Sequence, residues 1–86
     1  MPVISSFYGI LIYMFWKEHN PPHFHAKYGE FEALVNMNDF SLMRGSLPPK
    51  ALALVIEWAV IHQKELVENW ERGTRDEIFN KIEPLR

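Results

Sequence analysis

Hydrophobic and polar positions divide this chain into an extended first half and a helical second half. Residues Ile10 to Trp16 form an unbroken β-prone run after Gly9, the pattern of a strand covered on both faces. Lys17-Glu18-His19-Asn20-Pro21-Pro22 cannot extend it, because two prolines remove amide donors and fix φ. That segment reads as a stiff loop. A second strand starts at His23 and runs to Tyr28, and Gly29-Glu30 suits a two-residue type II′ turn with glycine first. The turn sets a register. It places Tyr28 opposite Phe31, Ala26 opposite Ala33 and Phe24 opposite Val35 on one apolar face. The other face then pairs Lys27 with Glu32, His25 with Leu34 and His23 with Asn36. A second turn at Asn38-Asp39 puts Met37 against Phe40, Asn36 against Ser41 and Val35 against Leu42, so His23, Asn36 and Ser41 are expected in one polar row.

Gly45-Ser46-Leu47-Pro48-Pro49 ends the sheet, with Ser46 as the expected N-cap and the prolines tolerated in a first helical turn. From Lys50 to Arg72 the pattern is helical. Ala51, Val55, Trp58, Ala59, His62, Leu66 and Trp70 make an i, i+3, i+4 stripe, and Gly73 is the expected C′ stop. Such a helix is about 35 Å long, whereas a six-residue strand spans about 20 Å. The helix should therefore overshoot the sheet, leaving apolar surface near Leu66 and Trp70 for another chain or for the tail, which carries Ile78, Phe79, Ile82 and Leu85. The expected fold is α+β. It is a single domain over residues 1–86, with a four-stranded antiparallel β-meander, one long C-terminal α-helix packed on one face and an ordered C-terminal tail.

Composition narrows the function classes. The chain is 48% hydrophobic and 14% aromatic, dense enough to give a domain of this size a core. It has no cysteine, so any bound metal needs His, Asp or Glu ligands. A net charge of −2 argues against broad electrostatic capture of nucleic acid. The N-terminus does not read as a signal peptide and the longest apolar run is far too short for a bilayer. The expectation is a cytoplasmic protein with no membrane partner.

The informative stretch is Glu18-His19-Asn20-Pro21-Pro22-His23-Phe24-His25-Ala26, which holds three of the four histidines. In a strand, His23 and His25 point to one face with Cα atoms roughly 6.5–7 Å apart. Two imidazoles so placed can converge on one ion, with His19 folding back as a third nitrogen ligand. Three neutral nitrogens suit zinc; manganese, iron or nickel fit equally well, with Glu18 as carboxylate ligand or base. The same residues also support metal-free chemistry, His23 and His25 serving as acid and base on an RNA phosphodiester, with Lys17, Lys27 or Tyr28 nearby. A third reading is structural, in which the rings hydrogen-bond carbonyls or sit at a subunit contact. His62 lies on the helical stripe and reads as a partly buried core histidine.

The set Phe7-Tyr8-Gly9-Ile10, Met14, Glu18 to Ala26, Tyr28-Gly29, Leu47-Pro48, Glu57-Trp58-Ala59, His62, Glu65-Leu66, Asn69-Trp70 and Ile82-Glu83-Pro84-Leu85 resembles the bacterial domain-of-unknown-function family 4160. Relatives often carry Asp at the position of Glu18, which keeps the carboxylate. The resemblance implies no defined reaction. It assigns His19, His23 and His25 to the family's histidine motif and His62 to its helix motif. It also implies small proteins often encoded beside a second small protein, an arrangement like a toxin–antitoxin or regulatory pair. The expected partners are that neighbour or a second copy of the chain, with RNA as a further candidate. The alternative is a non-enzymatic interaction module with a structural histidine turn.

Overall fold

The computed structural model describes residues 2–86. Its sheet has five antiparallel strands in sequential order: β1 (Val3–Phe7), β2 (Ile10–Tyr13), β3 (His23–Tyr28), β4 (Phe31–Asn36) and β5 (Leu42–Gly45). The fold class is α+β, as the pattern predicts, but with five strands rather than four. The added strand is β1, joined to β2 by Tyr8-Gly9. Both turn residues have positive φ, 48° and 80°, the requirement of a type I′ hairpin. The β3–β4 register agrees with expectation at all six positions, from Tyr28 opposite Phe31 to His23 opposite Asn36. Gly29 there has φ 59°.

The second turn is wider than expected. Val35 does pair with Leu42, and the Asn36 amide donates to the Ser41 carbonyl at 2.9 Å. Met37 does not pair with Phe40. Its amide donates to the Pro22 carbonyl instead, and the Phe40 amide reaches back to the Asn36 carbonyl. The Asn36 side chain accepts from the amides of Asn38 and Asp39, so it is occupied by the turn rather than offered to His23.

The expected single helix is two. α1 (Pro49–Ile61) and α2 (Gln63–Thr74) meet at His62, whose φ of −110° and ψ of 23° leave the helical region. Thirteen residues make about 20 Å of helix, the length of the strands it covers. At the break, Gln63 Nε2 donates to the Met37 carbonyl at 2.9 Å, tying the junction to the end of β4. Ser46 is not the cap. Pro48 occupies that position without a side-chain bond, and Pro49 is the first helical residue, where a missing amide costs nothing.

The core lies between α1 and the Phe24, Ala26, Ala33 and Val35 face of the sheet. Trp58 is its centre, with ring centroids 5.4 Å from Phe7 and 6.0 Å from Phe24. The predicted stripe survives the break, since Leu66 and Trp70 are buried in the same cluster. Gly73 is helical rather than a left-handed stop. A Cβ there would sit 3.1 Å from the Phe79 ring, so glycine serves close packing of the tail. The left-handed residue is Asp76, φ 58°. Several hydrogen bonds order the tail. Asn69 donates to the Asn80 carbonyl and accepts from its amide, the Ile82 amide donates to the Ile4 carbonyl, and Trp58 donates to the Glu83 carbonyl. No helix among the described residues is long and apolar enough to cross a membrane.

Candidate metal centre

The site forms where the proline loop enters β3. His23 and His25 stand on the sheet face opposite the core, as strand alternation requires, and the loop carries Glu18 back over both rings. Glu18 Oε2 lies 3.2 Å from His23 Nε2, and Oε1 lies 2.8 Å from His25 Nε2. One ligand atom from each of Glu18, His23 and His25 falls within 4.8 Å of the others. A tetrahedral ion with bonds of about 2.0–2.1 Å spaces its ligands about 3.4 Å apart. The carboxylate is thus already near ligand spacing from both nitrogens. All three side chains are largely withdrawn from water, at 6%, 12% and 23% exposure for His23, His25 and Glu18.

The polarity of His23 follows from its other nitrogen. Nδ1 lies 2.8 Å from the Pro21 carbonyl oxygen, and a carbonyl can only accept, so Nδ1 carries the hydrogen. In the neutral ring Nε2 is then a bare lone pair aimed at a carboxylate oxygen. Two acceptors face each other unless a proton, on the ring or on the carboxyl, or a cation lies between the atoms. The same outer bond, imidazole N–H to carbonyl, is what orients histidine ligands in metal sites. These residues could hold a metal ion.

Aromatic rings wall the cluster. Tyr13 stacks on His25 with centroids 4.8 Å apart and planes at 18°, and Phe15 meets the same ring edge-on at 5.1 Å. Trp70, from the last turns of α2, packs 5.3 Å from His23. The Tyr13 hydroxyl donates to Glu32. Its pKa lies well above the ordinary tyrosine value, first because it is buried, then because of that bond and the negative charge of Glu32 and Glu18.

The chain matches the family described as Domain of unknown function (DUF4160) over residues 9–71, well over half of its length. It belongs to that family. No curated protein and no solved structure matches it. The DUF4160 match runs from the β1–β2 turn into α2, and so contains Glu18, His19, His23, His25 and His62.

Not every histidine of this DUF4160 chain joins the cluster. His19 is exposed, and it is absent from the ligand set among the described residues; Glu18 takes the inward place expected of it. His62 stays at the helix junction, where Nδ1 donates to Glu65 at 2.6 Å and the ring lies against Trp58. Lys17 pairs with Asp76. Tyr28 lines a separate pocket with Tyr8, Pro48 and Lys50. The open side of the cluster is a pocket lined by Glu18, His19, Asn20, His23, Leu34, Met43 and Arg44. Tyr13, Trp70 and Arg44 are site residues that sequence reasoning missed. Tyr13 had a usable signal, because pairing β2 with β3 places it opposite His25.

Proposed function

We propose that this chain is a cytoplasmic component of a toxin–antitoxin-like or regulatory pair, and that its Glu18–His23–His25 cluster binds one divalent cation and serves RNA phosphodiester chemistry. The observation that carries the reading is the His23 ring, whose Nδ1 bond to Pro21 leaves Nε2 facing a carboxylate. Two imidazoles and one carboxylate are a donor set used by zinc, and by iron with open positions. Such a cation supplies Lewis acidity toward a phosphate ester and water. The chain's own part is to hold the ligands in place. Pro21 sets the His23 tautomer, Tyr13 and Phe15 fix the plane of His25, and Trp70 excludes water behind His23.

The metal-free alternative fares worse. Glu18 occupies Nε2 of both rings and Pro21 occupies Nδ1 of His23, so His23 presents no free nitrogen to a substrate and the acid–base pair is incomplete. The paired gene product enters this proposal from the family resemblance alone. A second reading, a non-enzymatic interaction module, draws on β5, an edge strand whose Leu42 and Met43 are exposed.

Equilibrium dialysis of tag-free protein against zinc, manganese, iron and nickel tests the site. The proposal expects one equivalent of at least one of them per chain, weakened at least tenfold by Glu18→Gln. Cleavage of a labelled RNA should stop on chelation and return with the metal. Failure of all four ions to bind stoichiometrically, or cleavage indifferent to chelator, would overturn it.

A further inference from the structure

Arg44 reaches the pocket through an irregularity in the sheet. At the turn, Val35 pairs with Leu42; continued unchanged, that register would set Met43 opposite Leu34 and Arg44 opposite Ala33, on the buried face. One extra residue intervenes. Beyond it Leu34 pairs with Arg44 and Ala33 with Gly45, so the bulge moves Arg44 to the face of the histidines. Gly45 takes the place opposite Ala33 instead, where a side chain would clash with the neighbouring backbone. Its φ is 74°, and a Cβ would lie 2.1 Å from the Glu32 carbonyl oxygen.

The result is one cross-strand row, Tyr13, His25, Leu34 and Arg44 on β2 to β5. Two strand spacings, about 10 Å, separate the backbones of His25 and Arg44, and Arg44 lines the same pocket as Glu18, His19 and His23. Among the described residues Arg44 makes no ion pair and its side chain makes no hydrogen bond to protein, unlike Arg72, Arg75 and Arg86. An uncommitted guanidinium offers a fork of donors matched to two oxygens of a phosphate.

We infer that Arg44 is the substrate-binding arm of this site, gripping the non-bridging oxygens of a phosphodiester while the scissile bond lies toward Glu18, His23 and His25. The inference rests on the metal reading above. It would make the β5 bulge a positioning device.

The test uses the full chain loaded with manganese and dimethyl phosphate as probe. Phosphorus-31 line broadening reports binding beside the paramagnetic ion, and electron paramagnetic resonance reports manganese affinity separately. Wild type should broaden the probe signal. Arg44→Gln should raise the apparent dissociation constant at least tenfold with manganese affinity unchanged, and Arg44→Lys should fall between them. Circular dichroism checks that both variants fold. If manganese binds and Arg44→Gln broadens the probe as wild type does, the role of Arg44 is overturned and the metal site stands. If wild type binds neither manganese nor any of zinc, iron and nickel, both fall together.

Discussion

The ring of Tyr13 lies flat on the imidazole of His25, centroids 4.8 Å apart, while its hydroxyl donates to Glu32. One residue thus orients a candidate ligand and joins it to the carboxylate of the adjacent strand. Its raised pKa has a consequence for stability. Folding favours the neutral phenol, so this contribution is complete below the unfolded tyrosine pKa of about 10 and is lost as pH rises through the higher folded value. In an alkaline titration followed by tyrosinate absorbance, Tyr13→Phe should remove the latest-ionising component of the native protein. Identical curves for the two proteins would contradict this.

Cation binding should stabilise the fold. A ligand at one hundred times its dissociation constant adds about 2.7 kcal/mol if it binds only the native chain. Saturating zinc should therefore raise the melting temperature of wild type by several degrees and leave a His23→Ala, His25→Ala double variant unmoved. Equal shifts in both would place the ion elsewhere.

Asn69 is fully buried and imitates a backbone partner for Asn80, donating at 2.9 Å and accepting at 2.8 Å. Replacing it by Ala strands an amide and a carbonyl, a loss of about 2 kcal/mol. Because the tail starts there, protease sensitivity beyond residue 78 should increase with the fall in stability. A variant as resistant as wild type would show that the remaining ties, with buried Phe79 and Ile82, hold the tail without Asn69.

Gly45→Ala should destabilise by about 2 kcal/mol or more, combining an unfavourable φ with a backbone clash. Urea unfolding measures it. Full stability would mean that β5 can shift its register, which would also free Arg44 from its place.

Much of the sheet was legible because alternation and turn chemistry agree across β3 and β4. Gly29 supplies the positive φ, and a one-residue slip would bury Lys27 and expose Phe24. β1 was harder to see. Ser5 and Ser6 interrupt its apolar run, and Tyr8 is an uncommon residue for positive φ. The helix break at His62 has no glycine or proline to announce it, and the bond that accompanies it, from Gln63 to Met37, is tertiary. Gly73 carries a signal with two meanings, stop or close packing, and only the position of Phe79 decides between them. Strand spacing brings His23 and His25 to one face. Whether Glu18 or His19 turns inward depends on the path of the loop, about which periodicity is silent.

The central claim is that Nε2 of His23 and Nε2 of His25 meet one cation beside Glu18. Long-range proton–nitrogen correlation spectra of the imidazoles, recorded before and after one equivalent of zinc, test it most directly. The prediction is a His23 ring protonated at Nδ1 throughout, with the Nε2 signals of His23 and His25 moving on zinc addition while those of His19 and His62 stay in place. Unmoved His23 and His25 signals, or shifts confined to His19 and His62, would contradict it.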